Sequence, residues 1–322
     1  MDSDASGDVI VVGGGVVGLT TALELARAGR RVRVWTRDPT AGTTSAVAGA
    51  LWWPYRIDPV ERVGGWSLRA LRVFEELAAR PERTGVRMVE GVQADTRFDG
   101  LGSWAAEVAG LRPSTAEEYA GGEGVWARLP LVDMPVHLEW LTERFLAAGG
   151  LVETREVADL AEAGAAAPVV VNCTGLDART LVPDATVRPL RGQLVLVENP
   201  GVDTWFTAAG GSGETAETST YFFPQPGRLI LGGTAEQDTF SLEPDPEVAE
   251  AIVARCAAVR PEIAKARVIG HRVGLRPTRP EVRVERERAP WGGVLVHNYG
   301  HGGAGVTVAW GCAQEAAGLA VS

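Results

Sequence analysis

Residues 8–18 read DVIVVGGGVVG: an unbroken β-branched run, Val9-Ile10-Val11-Val12, breaks into Gly13-Gly14-Gly15-Val16-Val17-Gly18. Such a run suits a strand buried on both faces. Val16, Leu19, Leu23 and Ala26 then recur at three- and four-residue steps, which predicts a helix ending near Gly29. Arg31-Val32-Arg33-Val34-Trp35 predicts a second strand. The unit is β-α-β, with G-x-G-x-x-G at its first turn and an acid, Asp38, 20 residues beyond Gly18. Gly13 permits the tight turn, Gly15 lets backbone approach a pyrophosphate, and Gly18 lets helix and strand pack closely. Taken alone, the same turn also suits a βαβ unit without ligand, and it does not separate NAD from FAD.

The chain has 322 residues, which predicts two domains or one large α/β unit with an inserted part. A hydrophobic content of 45% with 22% charged residues supports a sizeable core and argues against disorder. A net charge of −10 argues against nucleic acid as the partner. Three widely spaced cysteines without a CxxC argue against a disulfide framework and for a reducing cytoplasm. Residues 1–7 are short and polar, so no signal peptide is expected. No apolar run approaches a membrane span.

Further along, Thr36-Arg37-Asp38 ends the second strand, where an acid can accept hydrogen bonds from ribose hydroxyls and Arg37 can reach the adenosine side. Thr43-Thr44-Ser45 and then AGALWWPY (48–55) join small and hydroxylated residues to packed aromatics. Small side chains admit a ligand to the backbone, and aromatics can wall a flat pocket or seal a buried loop. Helices are predicted over 67–79, with Ser67 as cap, and over 137–148. VVVNCTG (169–175) is another apolar strand running into a small turn, with Cys173 as a core residue. Strands are predicted at 191–198, 220–223 and 228–231, with 224–227 turning between the last two. Residues 208–219 form a Gly/Ser/Thr-rich loop that can cover a site, with Glu214 and Glu217 solvated. Asp245 caps a helix opened by Pro246. GLRPTRP (274–280) holds Arg276 and Arg279 in extended backbone, suited to carboxylate binding or to ion pairs. Finally, Val294-Leu295-Val296 leads into HNYGHGGAGVT (297–307) and a helix. His297 and His301 stand four apart, but Gly300, Gly302 and Gly303 argue against a helix and so against a metal site. No strand–GxSxG–helix elbow is present.

Together these stretches resemble the D-amino acid oxidase family. VIVVGGGVVGL resembles its flavin site, AGALWWPY its second FAD segment and VVVNCTG its middle strand. GLRPTRPEVRVERE and HNYGHGGAGVTVAWG resemble its two most specific C-terminal motifs. The resemblance implies an α/β fold with a Rossmann-type FAD-binding domain (1–60, 151–188 and 282–322). It also implies a substrate-binding domain on a mixed or antiparallel sheet (61–150 and 189–281). It implies noncovalent FAD held by Gly13, Gly14, Gly15, Val16, Val17, Gly18, Arg37, Asp38, Thr43, Thr44, Ser45, Gly49, Ala50 and Leu51. Val157, Thr174, Gly302, Gly303, Gly305 and Thr307 complete the implied contacts. The family usually has Asp directly before Arg after its second strand; here the order is Arg37-Asp38.

By the same resemblance, Arg276 pairs with the substrate carboxylate, the Tyr221 hydroxyl assists it, and the Gly303 carbonyl accepts a hydrogen bond from the substrate amine. Mammalian members have a lid tyrosine where Glu217 stands, and glutamine where Trp53 walls the pocket. The implied reaction moves a hydride from Cα of a D-amino acid to flavin N5. Its products are a 2-oxo acid, ammonia and, after dioxygen reoxidises the flavin, hydrogen peroxide. Positioning supplies much of such catalysis. D-aspartate oxidases add an arginine beside a strand resembling LGGT; here Leu231-Gly232-Gly233-Thr234 is followed by Ala235-Glu236. Acidic D-amino acids are therefore expected to be poor substrates, neutral ones preferred, and basic ones admissible if Glu217 or Glu214 faces the pocket. The expected partners are a D-amino acid and dioxygen, with no nucleic acid, membrane or metal, and a homodimer is admissible. A glycine or sarcosine oxidase, a dehydrogenase reducing a quinone, and a flavin-binding sensor without turnover are the alternatives.

Overall fold

The computed structural model describes residues 8–54, 56–209 and 218–322. Glu214 and Glu217 fall outside them. Among the described residues one sheet runs through the molecule. Its strands are β1 (Asp8–Val12), β2 (Arg31–Thr36), β3 (Val86–Ala94), β4 (Arg112–Pro113), β5 (Gly124–Val132), β6 (Leu151–Thr154) and β7 (Val169–Asn172). Then come β8 (Arg188–Val197), β9 (Trp205–Ala209), β10 (Thr218–Gln225), β11 (Arg228–Thr234), β12 (Glu236–Gln237), β13 (Val268–Arg288) and β14 (Val294–His301). Their order is β4-β5-β3-β9-β10-β11-β8-β13-β14-β7-β1-β2-β6, with β12 beside β8.

The two ends of this sheet differ in kind. From β14 through β7, β1 and β2 to β6 every pairing is parallel. Val9 to Val12 are buried, as an unbroken apolar run requires when both faces are covered. From β13 back to β10 the pairings are antiparallel, and β3–β9 is a parallel insertion. The mixed α/β architecture thus follows the predicted alternation at the β1 end and the predicted strand runs elsewhere.

Among the described residues five longer helices dress the sheet: α1 (Val16–Arg27), α2 (Val60–Leu77), α3 (Met134–Ala147), α4 (Pro246–Val259) and α5 (Gly305–Val321). α1 packs on α5, and α5 on α2. α4 opens as predicted, with Asp245 Oδ1 accepting from Glu247 N at 2.9 Å and Val248 N at 3.3 Å. One boundary corrects the sequence reading. Ser67 is not a cap: α2 starts at Val60, directly after Pro59, and Ser67 lies fully buried inside it. Val63, Trp66, Ala70 and Phe74 continue the apolar stripe across that position, so packing overrides the local cap signal.

Candidate active site

At the end of β1 the chain turns at Gly13 with φ +117°, a conformation open to glycine. A Cβ there would stand 2.8 Å from the Cys173 carbonyl carbon, and one on Gly18 would run into the Gly13 carbonyl oxygen. The first turn of α1 therefore rests directly on the loop. Gly15 precedes α1, and a Cβ there would meet the Ser45 hydroxyl at 3.0 Å. The Val16 N–H, the first amide of α1, donates to Ser45 Oγ at 3.0 Å. The positive end of the α1 dipole thus opens into a cavity of about 1270 Å³ that residues 13–18 help to line.

Arg37 and Asp38 line the same cavity from the end of β2. Arg37 donates from Nε to Asp38 Oδ2 at 2.9 Å and from Nη1 to Asp177 Oδ2 at 3.0 Å. Asp177, with help from Asp38, raises the guanidinium pKa. Asp177 lines the cavity too, yet sequence reasoning missed it. It follows the VVVNCTG turn in a short 3-10 segment and meets Arg37 only through the fold. Val157, Thr43, Thr44, Ser45, Gly49, Ala50 and Leu51 all line the cavity. So does Thr174, but its hydroxyl is engaged with Asn172 Oδ1 at 2.7 Å and shapes the turn.

Side chains also line the cavity. Trp52 is fully buried, whereas Trp53 lines the cavity, its ring edge-on to Trp104 at 5.2 Å. One tryptophan seals the loop and its neighbour walls the pocket. Thr307 bridges to this wall, its hydroxyl donating to the Trp53 carbonyl at 3.1 Å and accepting from Trp53 N at 3.3 Å. Gly302, Gly303 and Gly305 form the short turn and first residue of α5 and line the cavity beside it.

Arg276 and Tyr221 reach the cavity from β13 and β10. Arg276 donates from Nη1 to the Thr234 carbonyl at 2.9 Å. That bond fixes the guanidinium and leaves most of its five N–H groups for another partner. The Tyr221 ring stacks on Phe223, centroids 4.8 Å apart. The two arginines of GLRPTRP separate in role. Arg279 pairs with half-buried Asp184 at 2.9 Å, and Asp184 also accepts from the Tyr299 hydroxyl at 2.8 Å. Arg276 alone of the pair lines the cavity. Arg56, exposed at the cavity, is a cation that sequence reasoning did not single out.

The two histidines of the last motif sit on β14 and turn to separate partners. His297 Nε2 lies 3.1 Å from Glu287, and its Nδ1 accepts from the Asn172 amide at 3.3 Å. His301 lines the cavity and donates from Nε2 to Asn298 Oδ1 at 3.1 Å, since the Asn298 amide donates to Thr21 at 3.0 Å. Burial pushes the His301 imidazole down to about 4, so it stays neutral near pH 7. Cys173 is a core residue whose thiol burial pushes up to about 12. Among the described residues no three His, Cys, Asp or Glu side chains gather as metal ligands. No helix among them is long and apolar enough to cross a membrane.

A glycine cradle at a helix start, continuous with a chamber holding a fixed guanidinium and a phenol, defines a dinucleotide-dependent enzyme fold. The chain belongs to the FAD dependent oxidoreductase family, which it matches over residues 8–319. It is 67% identical over 322 residues to a D-amino-acid oxidase of Streptomyces coelicolor, covering 99% of this chain and 98% of that protein. It is 49% identical over 314 residues to a D-amino-acid oxidase of Rubrobacter xylanophilus, covering 97% and 95%. Among solved structures, a glycine oxidase from Geobacillus kaustophilus superposes with a TM-score of 0.80 at 22% identity, covering 97% of this chain and 94% of that one. FAD is the cofactor, and the residues present fit it. The backbone cradle at Gly13–Gly18 is continuous with a cavity larger than the ~300–1,000 Å³ of a drug-sized ligand site.

Proposed function

We propose that the chain is an FAD-dependent D-amino acid oxidase acting on neutral side chains. The observation that carries this reading is one cavity lined both by the glycine cradle and by Arg276, Tyr221 and Gly303. Arg276 pairs with the substrate carboxylate, and the Tyr221 hydroxyl donates to it. The Gly303 carbonyl accepts a hydrogen bond from the neutral amine. These three contacts hold the Cα–H in one orientation; FAD, when bound, would supply the two-electron acceptor. Leu51, Trp53 and Phe223 supply apolar wall that excludes water from the chamber. Residues 13–18, Arg37, Asp38 and Ser45 would hold the dinucleotide, with the α1 amides toward its pyrophosphate. The two activities divide between the proposed domains. The cofactor belongs to 1–60, 151–188 and 282–322, and the substrate to 61–150 and 189–281; the change from parallel to antiparallel pairing supports this division.

The preference for neutral substrates rests on the two residues just past β11. Ala235 lines the cavity, while the Glu236 carboxylate pairs with buried Arg191 at 2.6 Å. A reading in which side-chain carboxylates are accepted is favoured by Arg56, which lines the same cavity. A peroxide assay separates these readings. D-valine and D-methionine should turn over faster than D-aspartate, and their L-enantiomers and glycine should give little peroxide. Faster turnover of D-aspartate transfers the choice to Arg56. Absence of flavin bleaching by any D-amino acid under anaerobic conditions defeats the oxidase reading itself. A reducing, cytoplasmic setting agrees with Cys173, Cys256 and Cys312, which are buried and free.

A further inference from the structure

Glycine inside a strand weakens it, through lost packing and a larger entropy cost on folding. Gly192 on β8 and Gly232-Gly233 on β11 are nonetheless buried in the middle of the sheet. Over each of them lies one of the two proposed anchors.

Arg276 stands opposite Leu190 in the β13–β8 ladder, two pairs along from the Gly274–Gly192 position and so on the same face. Its side chain leans diagonally across β8 to donate to the Thr234 carbonyl on β11. On the way the guanidinium covers Gly192, where a Cβ would stand 2.5 Å from Cζ and from Nη1. Tyr221 comes from the other side. It stands opposite Gly232 in the β10–β11 ladder, and its ring lies over both glycines. A Cβ on Gly232 would stand 2.5 Å from the phenolic oxygen, and one on Gly233 2.6 Å from it. Both anchors thus converge on the end of β11 from strands on opposite sides of it. That end is held in place. Thr234 Oγ1 accepts from Gln193 N at 3.0 Å, and the Gly233 carbonyl accepts from Arg255 on α4 at 3.2 Å.

We propose that Gly192 and Gly232 are positioning residues: they leave a bare strip of sheet on which Arg276 and Tyr221 lie down and converge on the substrate carboxylate. This rests on the reading of Arg276 and Tyr221 as carboxylate anchors. The strip acts through the anchors and touches no reacting atom. A methyl group at position 192 meets a movable guanidinium, so it displaces the anchor while sparing the backbone. A methyl group at position 232 meets a rigid ring, so its effect is the larger.

The test is a pair of double-mutant cycles in the FAD-loaded enzyme. KM and kcat are measured for D-valine. The dissociation constant of benzoate, a carboxylate without an amine, is read from the flavin absorbance. Gly192→Ala and Gly232→Ala should each raise KM and the benzoate constant by about tenfold or more, with kcat changed by less than about threefold and FAD content retained. In an Arg276→Ala background Gly192→Ala should have no further effect, and in a Tyr221→Ala background Gly232→Ala should have none. Wild-type benzoate binding in both glycine variants overturns the proposal, as does an undiminished effect once the anchor is gone. If Arg276→Ala and Tyr221→Ala themselves leave benzoate binding intact, the anchor reading fails and takes the proposal with it, a result distinct from failure of the glycines alone. Should Gly192→Ala not fold, adding Arg276→Ala should restore folding; failure to restore it also overturns the proposal.

Discussion

The turn at Gly13–Gly18 and the strip at Gly192 and Gly232 use the same residue type to opposite ends. At the turn, missing side chains bring backbone amides and the α1 dipole to the cavity. At the strip, missing side chains let other side chains lie down. In the proposed reading the first region binds through the main chain, which has one conformation to offer and little chemistry to vary. The second would bind through a guanidinium and a phenol, whose chemistry can change with single substitutions. Cofactor attachment and substrate choice are therefore separable, and substitutions in the two regions should fail in different ways.

The largest effect is expected at the turn. Gly18→Ala drives a methyl group into the Gly13 carbonyl, where backbone cannot yield cheaply. Overpacking costs about 1–3 kcal/mol and occasionally more, and a clash with backbone belongs at the upper end. The variant should lose FAD or fail to fold, as read from the ratio of flavin to protein absorbance. Gly15→Ala meets the Ser45 hydroxyl instead and should fold with weakened FAD. Full FAD occupancy in Gly18→Ala would show that the cradle tolerates what its geometry forbids. Next comes Arg276→Ala, which should keep its FAD and lose its hold on substrate. A truncated charge pair costs on the order of 2–5 kcal/mol, so KM for D-valine should rise by roughly 30-fold to several thousandfold. If kinetics barely change, Arg276 is not the anchor.

The two regions were unequally legible in the sequence. The β1 turn is local: strand, glycines and helix fall within 20 residues, and hydrophobic period and turn chemistry expose them without any relative. The anchor region is assembled from β8, β10, β11 and β13, whose contributing residues run from Gly192 to Arg276. No period or spacing joins those positions; local chemistry offered Arg276 and Arg279 as a pair, and only resemblance to a known family chose Arg276 between them and singled out Tyr221. What resemblance could not give is their seating. The diagonal lean across Gly192 is a matter of register, and register is set by the folded sheet. Asp177 escaped for the same reason, since it meets Arg37 across 140 residues of chain. Ser67 misled because its local cap signal is real and a long apolar stripe outweighed it.

The regions join at β14, which pairs with β13 on one side and β7 on the other. His301 sits at the end of that strand and ties Asn298 to Thr21 of α1. Burial lowers its pKa from 6.5 to about 4, as it does that of His137 in α3. Below pH 6.5 the unfolded chain takes up these protons, while the folded chain takes them up only near pH 4. Their contribution is therefore whole above pH 6.5 and is lost as pH falls toward 4, by about 1.4 kcal/mol per pH unit for each histidine. Denaturant unfolding at pH 7 and pH 5 should show a loss on the order of 2 kcal/mol per histidine, and His301→Gln should remove one share. An unchanged pH dependence in His301→Gln would mean that the junction does not titrate.

The smallest effect is expected from Tyr221→Phe. The ring keeps its seat over Gly232 and Gly233 and its stacking on Phe223, so only the hydroxyl is lost. With Arg276 still paired to the carboxylate, the missing hydrogen bond should cost about 1 kcal/mol and raise KM about fivefold. FAD content and thermal stability should stay at wild-type values, because the substitution leaves the ring and the Gly13–Gly18 turn unaltered. An effect as large as that of Arg276→Ala would make the phenol a principal anchor rather than a helper. No effect at all would leave the carboxylate to the guanidinium alone. Either result sharpens the contrast between the regions: at Gly18 one added methyl group should abolish binding, whereas in the anchor region one lost oxygen should only tune it.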